Sequence, residues 1–343
     1  MPADDARHEN STPEPTHAPG ATPADATDGS IDAPSTDAPV PEAVEPEPLG
    51  PGPVFVIGAP RSGTSALAWA IAAHPDFVTG NEADFTFYML RSNPFGEAWI
   101  RTNARADAML TTSGMDRATF MRTMGAGIDA IFRAMHAENG EGEKRWVDST
   151  PANTMVADRL AELLPDARFV HILRDGRAAV ASMVKSGFST QVAKDFRFAC
   201  DTWAFYARKA RQLSAAMPHR VLELRQERMS EDAAGSMTDV LAFLAAEPHP
   251  GPAAKLGEGR INSSYGNVSA SDVLKPKAAS EMPKVPWSDW TDEQWEIFEE
   301  AAGETMAEMG YEWVRPEPKP ELDAGPAGEP EPSAATTDSA ETR

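Results

Sequence analysis

The chain has 343 residues, a single cysteine and a formal net charge of −22, with 53 acidic against 31 basic side chains. So acidic a balance argues against nucleic acid as a partner, and one cysteine, Cys200, excludes an intrachain disulfide. No apolar run approaches the ~18 residues of a membrane span, and the histidines are scattered without metal-ligand spacing, so neither a membrane span nor a protein metal site is expected.

In chain order, residues 1–53 come first, with 11 acidic side chains, one basic side chain and many prolines. Such a segment cannot bury enough apolar surface to offset the entropy of ordering, so it is predicted to be a disordered tail. It shows no signal or transit peptide pattern, which, with the lone cysteine, leads to the expectation of a cytoplasmic protein. Val54–Gly58 reads as a short buried strand and Thr64–Ala73 as a helix that Pro75 stops. Ala118–Ala137 has helical spacing of Phe120, Met121, Met124, Ile128, Ile131, Phe132 and Met135. In "DSTPANT", Thr150 is placed as an N-cap with Pro151 at the first helical position.

"RFVHILRD", Arg168–Asp175, reads as a second buried strand, with a helix from about Arg177 to Val184. Helical Phe198–Met217 leads to a third strand, Val221–Arg225, and a helix from about Ser230 to Ala245. A last amphipathic helix covers Thr291–Met309, where Thr291 and Gln294 have capping-box spacing. Residues 316–343, with seven acidic and two basic side chains, form a second predicted disordered tail. Strands alternating with helices imply an α/β fold: one three-layer, P-loop-like domain over residues 54–315, its parallel sheet covered by helices on both faces.

The stretch "VFVIGAPRSGTSALAW" carries the chemistry. A strand that passes through a Gly-rich turn into a helix aims backbone N–H groups and the positive end of a helix dipole at one point, which suits a phosphate. Arg61 adds a forked cation, and Ser62, Thr64 and Ser65 add hydroxyl donors around Gly63. Gly58 and Gly63 have the spacing of an ATP-binding P-loop, yet Thr64 stands where that motif has its lysine. A γ-phosphate would be poorly neutralised there, so a ligand presenting a single phosphate fits better. The bland reading is a tight turn capping a helix.

"APRSGTS" resembles the 5′-phosphosulfate loop of sulfotransferases that use 3′-phosphoadenylyl sulfate (PAPS). "AHPDFVTGNEADF" (Ala73–Phe85) is similar to the region following that loop in tyrosylprotein sulfotransferases and related bacterial enzymes. "RFVHILRDGRAAVASMV" resembles their 3′-phosphate strand–turn–helix, and "SASDVLKP" (Ser269–Pro276) and "EMGYEW" also fit. The resemblance implies PAPS as sulfate donor, PAP as product, and a hydroxyl or amine acceptor. It carries Arg61, Ser62, Gly63, Thr64 and Ser65 over as the 5′ site, and Arg174 with Ser182 as the 3′-phosphate ligands. Ser269 and Lys275 match further cofactor contacts. Glu82 matches the catalytic glutamate, a general base, with Arg61 stabilising the leaving group in an in-line displacement.

Competing readings stay open residue by residue. Arg174 could simply pair with Asp175 or Asp201, Glu82 could be a solvated carboxylate beside Asp84, and His74 reads as a packing or cap residue. Phe85, Phe87, Tyr88, Met89, Phe95 and Trp99 could line an acceptor site or pack in the core. The family's pattern is broken at Ser149, where many relatives have lysine, at Ser186, where an arginine is expected, and at Gln226, where tyrosine is common. The other function classes are a P-loop-like kinase or NTPase, and a non-catalytic nucleotide-binding protein.

Overall fold

The structure, a computed structural model, describes residues 49–186, 194–258, 260–261, 274–275 and 285–315, so residues 1–48 of the first predicted tail and all of the second lie outside it. Its centre is a five-stranded sheet of β1 (Val54–Ile57), β2 (Phe77–Thr79), β3 (Arg145–Asp148), β4 (Arg168–Leu173) and β5 (Val221–Arg225). Every pairing is parallel, in the order β2-β3-β1-β4-β5. β1 and β4 are buried along their whole length, as strands covered on both faces must be. Their side chains alternate: Phe55, Ile57 and Phe169 enter the core on one face, and Val54, Val56, Val170 and Ile172 that on the other.

The first connection holds α1 (Thr64–Ile71), and α2 (Phe85–Leu90), α3 (Pro94–Asn103), α4 (Met109–Thr112) and α5 (Arg117–Ala137) lie between β2 and β3. A 3-10 turn, Pro151–Val156, runs into α6 (Ala157–Leu163). α7 (Gly176–Ser186) follows β4, and α8 (Phe196–Ala216) precedes β5. After β5 come α9 (Gln226–Glu231), α10 (Ala233–Phe243) and α11 (Gly251–Gly257). Short strands β6 (Arg260–Ile261) and β7 (Leu274–Lys275) pair antiparallel. The last helix has the predicted Thr291–Gln294 capping box, but it is not continuous. α12 (Asp292–Phe298) and α13 (Glu304–Glu308) are joined by a π-helical turn, Glu299–Gly303. Among the described residues no helix is long and apolar enough to cross a membrane.

β2 and β3 are absent from the sequence-based expectation, because "FVT" and "RWVD" lack the uninterrupted apolar run that marks "VFVI" in β1. The far end of the sheet is tied by arginines. Arg220, 7% exposed, donates to the carbonyls of Ala161, Leu164 and Ala167 at 2.8–3.1 Å, satisfying acceptors where α6 ends. A lysine cannot span three carbonyls with one ammonium, so Arg220→Lys should cost about 2 kcal/mol in urea unfolding.

Candidate active site

All five strands point their carboxyl ends the same way. The chain leaves β1 for β2 and β3 on one side and crosses to β4 on the other. The crevice beside β1 is therefore a topological switch point, where loops from neighbouring strands diverge. The predicted residues of the described segments sit there: Arg61 after β1, Glu82 after β2, Arg174 after β4.

The loop after β1 is tightly constrained. Gly58 has φ +148°, and a Cβ on it would lie 2.5 Å from the Ile172 carbonyl oxygen of β4. Its N–H donates to Thr154 Oγ1 at 3.0 Å, which fastens the loop to the turn after β3. Arg61 itself is left-handed, with φ +68°, a conformation that costs a non-glycine residue about 1 kcal/mol and marks a strained loop. Gly63, φ +105°, enters α1, whose first helical bond runs from Leu67 N–H to Gly63 O. The amides of Thr64, Ser65 and Ala66 therefore have no helical acceptor. Ser62, Thr64 and Ser65 are buried, and the Ser62 hydroxyl has no hydrogen-bond partner among the described residues. Buried donors without acceptors fit an anion.

The second predicted anion segment meets the first. Arg174 donates to the Arg61 carbonyl at 2.7 Å, and Arg61 Nε lies 3.4 Å from Ser182 Oγ on α7. Asp175 is held by Arg177 at 2.6 Å. The strand end is rigid: Trp203 Nε1 donates to the Arg174 carbonyl at 3.1 Å, and the Asp175 amide donates to Glu227. Tyr311, in "EMGYEW", donates to the other oxygen of Glu227, which brings the C-terminal segment onto the same turn.

Glu82 is partly buried, and its pKa is pushed up to about 7. Burial is the main cause, followed by the charges of Asp84 and Asp148, while Arg61 pulls it down. Glu82 is thus within electrostatic reach of the loop after β1, and it is not the fully solvated carboxylate of the bland reading. A carboxyl that titrates near neutrality can both take up and release a proton at physiological pH.

Other expectations divide. Ser269 lies outside the described residues, as does the side chain of Lys275, whose backbone pairs with Arg260. Thr150 does stand at the N-cap position, but its hydroxyl makes no capping bond; it is engaged with Asp148 and the amide of Ala83. Ser149 is buried. Gln226 bonds Ser230 and lies 3.5 Å from where a Cβ of Gly63 would stand. His74 is a packing and turn residue, accepting from the Asp76 amide at 3.1 Å with its other nitrogen 3.0 Å from the Glu247 carbonyl. Phe85, Phe87, Met89, Phe95 and Trp99 pack against the core, whereas Tyr88 is exposed. Sequence reasoning missed Thr154, Asp148, Asn153 and Tyr206. The Tyr206 pKa is raised to about 12 by burial and by the charge of Glu82, so this phenol is within electrostatic reach of the carboxylate.

A model of the sulfotransferase family matches residues 53–250. Protein-tyrosine sulfotransferase of Drosophila melanogaster is 29% identical over 133 residues, 38% of this chain and 25% of that protein. Nodulation protein NoeE of Sinorhizobium fredii (strain NBRC 101917 / NGR234) is 31% identical over 134 residues, 38% and 30% of the two chains. The chain thus spans about a quarter to a third of the length of these relatives. A sulfotransferase domain from the curacin biosynthetic pathway superposes with a TM-score of 0.47 at 14% identity, covering 78% of this chain and all of that one.

Proposed function

The chain belongs to the sulfotransferase family, and from that premise we propose that it transfers the sulfuryl group of PAPS to an acceptor hydroxyl or amine. The observation that carries the reading is the meeting of two anion segments, Arg61 with Ser182 and Arg174 with the Arg61 carbonyl, beside a carboxyl that titrates near neutrality. A donor with a 5′-phosphosulfate and a 3′-phosphate on one ribose needs two such segments. A triphosphate needs a lysine after Gly63, and Thr64 is there instead.

PAPS, when bound, would supply an activated sulfuryl group whose transfer to the acceptor oxygen or nitrogen releases PAP. The residues of this chain divide the remaining work. Ser62 to Ser65 offer amides and hydroxyls to the 5′ end, and Gly63 lets the backbone approach it. Arg174 and Ser182 hold the 3′-phosphate, and Ser269 and Lys275 extend the cofactor site. Arg61, already a charge in the loop, offsets negative charge that builds on the leaving phosphate oxygen. Glu82 takes the acceptor proton. With Ser149 buried and uncharged, Arg61 carries a larger part of the charge stabilisation than in relatives with lysine at that position. The transferase unit is residues 54–315.

Thermal unfolding with PAP tests the reading without knowledge of the acceptor. PAP should raise the melting temperature, and Arg174→Ala should abolish that rise. A larger rise with ATP than with PAP would point to a kinase or NTPase instead. Labelled PAPS offered to a panel of hydroxylated and amine compounds then identifies the acceptor class.

A further inference from the structure

The segment that carries Glu82 is fastened to one buried carboxylate. Asp148, the last residue of β3, is 4% exposed. Its Oδ1 accepts from the Thr150 amide at 3.0 Å and the Thr150 hydroxyl at 2.8 Å, and its Oδ2 accepts from Asn153 Nδ2 at 2.7 Å. Burial pushes the Asp148 pKa up, and these bonds pull against it. Since all three groups are donors, the arrangement suits the ionised form.

The partners of Asp148 reach the residues after Glu82. Thr150 Oγ accepts the Ala83 amide at 2.9 Å and lies 3.4 Å from the Asp84 amide. The amides leave the single hydroxyl proton for Asp148, which fixes the polarity of that chain. Asn153 Oδ1 accepts from the Thr86 hydroxyl at 2.8 Å, so the other amide group of Asn153 faces Asp148. Ala83, Asp84 and Thr86 are therefore joined to one carboxylate through one intermediary each. Asp84 sits at φ +40°, a conformation that persists only where the surroundings over-determine it.

We propose that Asp148 is a positioning residue for Glu82, holding its loop through Thr150 and Asn153. The inference rests on Glu82 being the base. The charge of Asp148 has a second effect, because an anion near a carboxyl opposes its ionisation. The groups that face Glu82 are Asp84 on its own segment, Asp148 from β3, Arg61 from the β1 loop and the neutral Tyr206 from α8. Because through-space repulsion alone shifts that titration, the positioning role is read from the Ala83 and Asp84 amides, which the Thr150 hydroxyl holds, and from kcat.

Carbon-13 NMR of the full chain labelled at glutamate carboxyls reads that titration, with the Glu82 signal assigned by its loss in Glu82→Gln. Asp148→Asn should move the Glu82 midpoint to lower pH. Thr150→Val, nearly isosteric, should speed hydrogen exchange of the Ala83 and Asp84 amides by about tenfold or more, and Thr150→Ser should restore protection. In turnover of labelled PAPS, Thr150→Val should lower kcat by about tenfold, with PAP binding unchanged. An unmoved Glu82 midpoint in Asp148→Asn, or unaltered amide exchange in Thr150→Val, would overturn the proposal. If Asp148→Asn does not fold, the Thr150 pair alone decides. Full turnover in Glu82→Gln would instead sink the base, an outcome separate from the titration and exchange results.

Discussion

Glu82→Gln should lower turnover by about 10²-fold or more while PAP still stabilises the protein as it does the unaltered chain. Gln keeps the shape and can donate a hydrogen bond, but it cannot accept the acceptor's proton. The loss should therefore fall on kcat, with the donor's affinity intact. The pH profile carries a second signature. With the Glu82 pKa at about 7, kcat should climb through that region as the base ionises, then level off. The same group also links pH to stability. Its folded pKa lies above the ordinary carboxylate value, so the native state binds the proton more tightly than the unfolded chain does. Stability is then fully present below the unfolded pKa, near 4.5, and falls as pH rises to about 7. Gln has no such penalty. Glu82→Gln should thus be the more stable protein at pH 8, on the order of 1–2 kcal/mol after solvent screening, and nearly equal at pH 4. An inactive variant that is also stabilised at high pH is the pattern expected of a group kept in place for chemistry at a cost to the fold.

What the sequence disclosed follows from how each residue acts. β1, β4 and β5 are legible because apolar runs report burial directly, and their order with the helices is enough to give a parallel sheet. β2 and β3 leave no such trace, and with them goes the strand order that places Glu82 on the same edge as Arg61. Glu82 is singled out by resemblance alone; its raised pKa depends on burial and on Asp84 and Asp148, which spacing does not reveal. Asp148 is the clearest case. In "WVDSTPANT" its donors, Thr150 and Asn153, stand only two and five residues on, but nothing in the stretch says that the carboxylate is buried. Thr150 stands at the N-cap position, as its spacing predicts, but its hydroxyl bonds a carboxylate and an amide across the sheet edge instead of a helix amide. The contact of Arg61 with Ser182 spans 121 residues. Only the fold, or a resemblance that already contains the fold, can join them.

Gly58→Ala should cost about 3–5 kcal/mol and remove PAP binding even where the protein remains folded. Two independent penalties add up at this position. At φ +148° an alanine is strained, worth about 1–3 kcal/mol. Its Cβ would also stand 2.5 Å from the Ile172 carbonyl oxygen, an atom of the central strand β4 that is paired on both sides and cannot yield. Relief is available only if the loop moves. Movement lifts the Gly58 amide from Thr154 and displaces Arg61, whose carbonyl anchors Arg174. The two anion segments are coupled at this point, so a methyl group added beneath one disorganises both. Gly127→Ala is the matched control. It lies on an exposed turn of α5 with nothing within 4 Å of the new Cβ, and there the same methyl should stabilise by about 0.5–1 kcal/mol. Urea unfolding of the two variants, each with and without PAP, separates the outcomes. If Gly58→Ala matched Gly127→Ala in stability, and PAP stabilised both, the loop would be far more yielding than its contacts with β4 imply. The expected contrast instead assigns the first glycine of the motif a structural reason, the close approach of loop to strand, that is independent of the ligand it serves.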